Sequence, residues 1–110
     1  MKKSIYLLAP ALLLATSVSF ACELTGAPPA IPDGSTATEA ELLAAQDAIK
    51  TYMAHSNEYI ECLKQEDRQA GDTDTPEKDA ERIAAHNAAV DAQEKLAAEF
   101  NTQVQAWKAQ

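Results

Sequence analysis

The sequence predicts an all-α fold, an antiparallel two-helix hairpin with an extended Pro-rich N-terminal arm packed back along helix one. Three observations predict it. Apolar residues recur at alternating steps of three and four through two long segments, the signature of one helical face. Prolines 28, 29 and 32 crowd into the stretch before the first segment, and Pro76 opens the second. Two cysteines, Cys22 and Cys62, stand one in that stretch and one in the first segment.

The first element is a leader. Met1-Lys2-Lys3 is a short cationic start, Ile5 to Val18 is an almost unbroken apolar run, and Ser19-Phe20-Ala21 places small residues where a leader peptidase reads. Cleavage after Ala21 is expected, so residues 1–21 are a signal peptide and the destination is the periplasm or the medium, where thiols oxidise. A retained anchor would need about 20 apolar residues, more than this run supplies.

Removing Lys2 and Lys3 leaves every acidic residue in place and takes the formal charge from −8 to about −10. Nucleic acid and anionic lipid surfaces need clustered positive charge, so neither is expected as a partner. The balance suits a basic protein partner, loose cation association, or solubility alone. At under about 90 residues the exported chain makes one thin-cored domain, a size at which a staple or a second subunit is commonly required.

Residues 22–37 form the arm. The three prolines block regular helix, and Asp33-Gly34 marks a turn. Thr38 opens helix one as N-cap, with Glu41 three places on completing a capping box before Leu42 and Leu43 begin the apolar series. The spacing predicts a helix over about 38–69, with its seam on Leu42, Ala45, Ile49, Tyr52, Ser56, Tyr59 and Leu63.

Ala70-Gly71 ends this helix and Asp72-Thr73-Asp74 connects it to the next. Thr75 is the second N-cap, Pro76 fits the first helical position, and Glu77 and Asp79 complement the positive end of the macrodipole. Helix two is expected over about 76–108. Its seam is read as Ile83, His86, Val90, Gln93, Ala97, Phe100, Val104 and Trp107, broadened by Ala80, Ala84, Ala89 and Leu96. Neither segment contains Gly or Pro in its interior, and the abundant alanine favours helix in both.

A short connection makes the helices antiparallel neighbours. A turn centred near residues 72 and 73 pairs Tyr59 with His86 and Tyr52 with Gln93, and brings Leu42 and Ala45 to Phe100 and Val104.

Cys22 admits two fates. Lipidation of its sulfur would make the protein a lipid-anchored envelope component. Lipoproteins, however, usually carry an aliphatic residue three places before the cysteine and a small one between, where this chain has Ser19 and Phe20. An even cysteine count in an exported chain favours a Cys22–Cys62 disulfide. Reach permits it: helix from Thr38 to Cys62 rises roughly 36 Å, and the arm extends to at most about 55 Å. The arm must then fold back at Asp33-Gly34, where Leu24, Ala27, Pro28, Pro29, Ala30 and Ile31 could cover the open side of the seam.

Sites with chemistry are sparse. His55 and Glu58 lie one turn apart, but the pairing sets His55 about a turn from His86 and no ligand set of three or four assembles, so no metal is expected. His86 is expected to hydrogen-bond Tyr59. Asp72, Asp74, Glu77 and Asp79 do not follow the calcium-loop spacing and read as helix-terminus electrostatics. Ser56 does not share a face with His55, neither cysteine sits in Cys-x-x-Cys, and no Gly-rich phosphate loop exists. A catalytic residue and a cofactor are therefore not expected. The function expected is that of a non-enzymatic interaction or structural protein, with homodimerisation through leftover apolar surface compatible with it. An acidic cation buffer is the alternative from another class.

Cys22, the segment Ile31-Pro32-Asp33-Gly34, Tyr52 and Tyr59-Ile60-Glu61-Cys62-Leu63 together resemble small exported proteobacterial proteins of unknown function. These have a leader, a cysteine before a Pro-rich Ile-Pro-Asp-Gly arm and a Tyr-x-x-Cys-Leu helix. The resemblance covers mainly residues 22–63 and implies no activity. It does imply that the two cysteines and the turn belong to one structural device.

Overall fold

The computed structural model describes residues 22–110; the expected leader and its cleavage site at Ala21 lie outside them. Helix α1 runs Glu39–Ala70 and α2 runs Pro76–Lys108, joined by a single 3₁₀ turn at Gly71–Thr73. The two helices pack against each other as a hairpin, with residues 22–37 as an extended arm.

Local chemistry sets both helix starts. At α1 the Thr38 hydroxyl accepts from Glu41 N at 3.2 Å and the Glu41 carboxylate accepts from Thr38 N at 3.0 Å, closing the capping box. At α2 the Thr75 hydroxyl accepts from Lys78 N at 3.2 Å, and Pro76 occupies a first-turn position whose missing N–H costs nothing. Gly71 ends α1 at φ 46°, ψ −127°, a conformation that side chains resist.

The α1 seam buries Leu42, Ala45, Ile49, Tyr52, Ser56, Ile60 and Leu63. Ile60 takes the place expected for Tyr59, which is half-buried. The larger correction is on α2. There Arg82, Ala89 and Leu96 are buried, while Ile83, expected in the seam, is 53 % exposed. The most covered residues follow Arg82, His86, Ala89, Gln93, Leu96, Phe100, Gln103 and Trp107; of the expected series, Ile83 and Ala97 are exposed, while Val90 and Val104 are half-buried at the edge of the seam.

Alanine occupies every side of α2, so apolar content hardly orients it. Polar contacts do. Arg82 Nη2 bonds Asp67 and Asp74, Gln93 Nε2 donates to Ser56 Oγ at 2.9 Å, and the Gln103 side chain accepts from the arm. Together these fix the rotation of α2 against its more apolar series.

Pairing along the hairpin is also displaced. Gln93 meets Ser56 and Asn57, one turn beyond the Tyr52 expected, because the 3₁₀ turn prolongs the connection and moves its centre towards Thr75. His86 consequently lies near Leu63 instead of Tyr59, and its Nδ1 is 3.4 Å from Asn87 Oδ1.

The arm returns antiparallel along α1. Cys22 and Cys62 form a disulfide with Cα atoms 5.7 Å apart, and Ile31 packs with Met53 and Phe100 against the core of Ile49, Tyr52 and Leu96. Leu24, Pro29 and Ile31 are partly covered, whereas Ala27, Pro28 and Ala30 remain exposed. The arm crosses the hairpin edge and does not cover the whole seam.

Candidate interaction face

The turn before α1 is built from one aspartate. Asp33 Oδ1 accepts from Ser35 N at 2.9 Å and Ser35 Oγ at 2.7 Å, and its carbonyl accepts from Ala37 N at 2.9 Å. The Ser35 hydroxyl, followed by the Ser35 amide, holds the Asp33 carboxyl below its ordinary 3.8. This turn presents Gly34 edge-on to the last turns of α2. Gly34 N donates to Gln103 Oε1 at 2.8 Å, and Gln110 Nε2 donates to the carbonyls of Gly34 at 2.6 Å and Ala37 at 3.1 Å. A Cβ at Gly34 would overlap the Gln103 carbonyl oxygen and stand 2.7 Å from its carbon. Only glycine fits.

At the opposite end Arg82 ties three pieces of chain together. Its Nη2 lies 2.6 Å from Asp74 Oδ2, 3.2 Å from Asp67 Oδ1 and 3.8 Å from Asp79 Oδ1. The hydrogen bond from Arg82 holds the Asp74 carboxyl below its usual range, and that same bond raises Arg82. The acidic connection therefore does more than oppose a helix dipole: Asp74 and Asp79 converge on a buried guanidinium. Sequence reasoning passed over Arg82, Gln103 and Gln110. All lie in the three-and-four series with Phe100 and Trp107, but a search by hydropathy skips polar residues.

The residues considered for chemistry do not converge. His55 is 3.9 Å from Glu58 in an exposed pair and borders a cleft beside the arm, while His86 lines a cleft with Leu63 and Ile83. Ser56 is fully buried and hydrogen-bonded to Gln93. Two groups of acidic or sulfur ligands come within metal-binding distance among the described residues: Cys22, Cys62 and Glu66, and Asp67, Asp74 and Asp79. The cysteines of the first are already joined, and the carboxylates of the second already surround Arg82. With its sulfur in the disulfide, Cys22 has no thiol to carry a diacylglyceryl group.

What the arrangement leaves open is a face. The arm lies against α1 near Ala48, Thr51, Tyr52 and His55. Two further clefts open between α1 and α2, one at each end of the hairpin. The first, about 320 Å³, is bounded by Leu63, Lys64, Asp79 and Ile83; the second, about 300 Å³, by Leu42, Leu43, Val104 and Trp107. Helical spacing puts the α1 residues of both clefts on the side away from the arm. Leu43 and Ile83, one in each cleft, are each 53 % exposed.

No protein-family model, characterised protein or solved structure matches this chain. Its class therefore rests on its own architecture, an all-helical hairpin stapled by one disulfide. The disulfide fits an oxidising, extracytoplasmic setting. Among the described residues no helix is long and apolar enough to cross a membrane.

Proposed function

We propose that this is an exported, non-enzymatic protein of the periplasm or medium that works by protein contact through the face away from its arm. One observation carries the reading. The hairpin seam buries Arg82, Ala89 and Leu96 from α2, and of the more apolar series it leaves Ile83 and Ala97 exposed and Val90 and Val104 only half-buried. Full burial of an Ile or Leu is worth about 1.5–3 kcal/mol, so leaving Ile83 and Leu43 each 53 % exposed on one face forgoes much of that unless something covers them.

A photocrosslinking residue at Ile83, with Ala48 on the arm side as control, tests the reading in exporting cells. Discrete adducts from position 83 alone support it; a uniform absence of adducts, or equal labelling from both positions, counts against it. Intact mass of the exported protein addresses its processing and linkage together. The expected species begins at Cys22 and weighs two hydrogens less than the reduced chain.

A further inference from the structure

The outward series on α2 has a second property: it recurs every seven residues. Ile83, Val90, Ala97 and Val104 share the residues His86, Gln93, Phe100 and Trp107 with the seam that meets α1. A helix bearing two adjoining seams is the kind found in bundles, where each helix touches two neighbours. Helix α1 has two neighbours, α2 and the arm. Among the described residues, helix α2 has only α1 beside it along most of its length, the arm reaching its last turns.

We propose that the second neighbour of α2 is a second copy of this chain, seated face to face about a two-fold axis to give a four-helix bundle. This rests on the contact reading above and names the partner. The two clefts are complementary in a way that a two-fold axis uses. Ile83 projects at one end, and the cleft of Leu42, Leu43, Val104 and Trp107 opens at the other. Antiparallel docking puts each copy's Ile83 into the other copy's open cleft, so the same contact is made twice.

Charge permits it. Residues 22–110 hold seventeen acidic groups against seven Lys and Arg, yet the two clefts together carry Lys64, Arg68 and Arg82 against Glu39, Asp67 and Asp79. The two clefts that would dock are thus balanced in charge, although the chain as a whole is acidic, and exposed Glu94 is the acid that lies between them on this face. A basic partner would find more to bind elsewhere on the molecule.

The oxidised protein should show twice the monomer mass in sedimentation equilibrium and dissociate on dilution. The single tryptophan, Trp107, should shift its emission to the red as it does so. Ile83→Asp should weaken association at least about tenfold, since the change removes a buried apolar contact twice, once from each copy. Ala48→Asp on the arm side should not. Because Ile83 is exposed in the hairpin, helicity by circular dichroism and the disulfide should survive the change. Mixed light- and heavy-isotope copies carrying a photocrosslinker at position 83 should give intermolecular links to Leu43, Val104 or Trp107. A wild-type monomer at every concentration overturns the proposal, as does a dimer whose mass ignores Ile83→Asp. Adducts at position 83 in cells from a protein that is monomeric when pure would leave the contact reading standing and remove only the self-partner.

Discussion

Gly34 is the position where one atom decides the most. Its buried backbone is pressed on the Gln103 carbonyl and hydrogen-bonded to both Gln103 and Gln110. Gly34→Ala should therefore lower stability by about 1–3 kcal/mol, read as a fall in the midpoint of urea or thermal unfolding, because the turn must lift off α2. Gln103→Ala should cost less, about 1 kcal/mol, since it removes the partner of one amide without a clash.

Arg82 and Asp74 make the other residue-scale prediction. The folded state depresses the Asp74 carboxyl below 3.8, so its contribution is fully present above that value and is lost as pH falls through the lower, folded one. Thermal midpoints measured downward from pH 6 should hold until about pH 4 and then decline. Asp74→Asn should flatten part of that decline. Asp33, depressed by Ser35, contributes with the same sign, so Asp33→Asn should flatten a separate part.

At the scale of elements, the helix starts were legible because capping is local chemistry. Thr38 with Glu41 and Thr75 with Pro76 are readable within four residues, and both caps form. Thr38→Ala should cost about 1 kcal/mol, and the loss should appear as faster amide exchange in the first turn of α1 before any global change. The α1 face was legible too, because its large residues fall on one stripe. The α2 face was only half legible. Its His86, Gln93, Phe100 and Trp107 series lies where the spacing put it, but the deepest positions went to Arg82, Ala89 and Leu96, with Val90 and Val104 half-buried and Ile83 and Ala97 exposed. Hydropathy alone favours Ile83, Val90 and Val104. It could not weigh a guanidinium held by two helices, or a glutamine bonded to an arm some seventy residues earlier in the chain.

For the whole molecule the disulfide dominates. It closes a loop across a sequence separation of 40, which in the chain-entropy account restricts the unfolded state by roughly 4 kcal/mol. Paired Cys22→Ser and Cys62→Ser substitutions should lower unfolding stability by about that amount, measured by urea titration, and loosen the arm over the Ile49, Tyr52 and Leu96 core. Sequence by itself determined the fold class, both helices, the turn at Asp33-Gly34 and the pairing favoured for the two cysteines. Each depends on short-range propensity, on one stripe of large residues, or on counting. Only the tertiary structure decided the rotation of α2, the one-turn shift in pairing and the docking of Gly34 on Gln103. Those depend on a few polar contacts between distant residues, whose partners no local pattern names, and they are what leaves Ile83 facing outward.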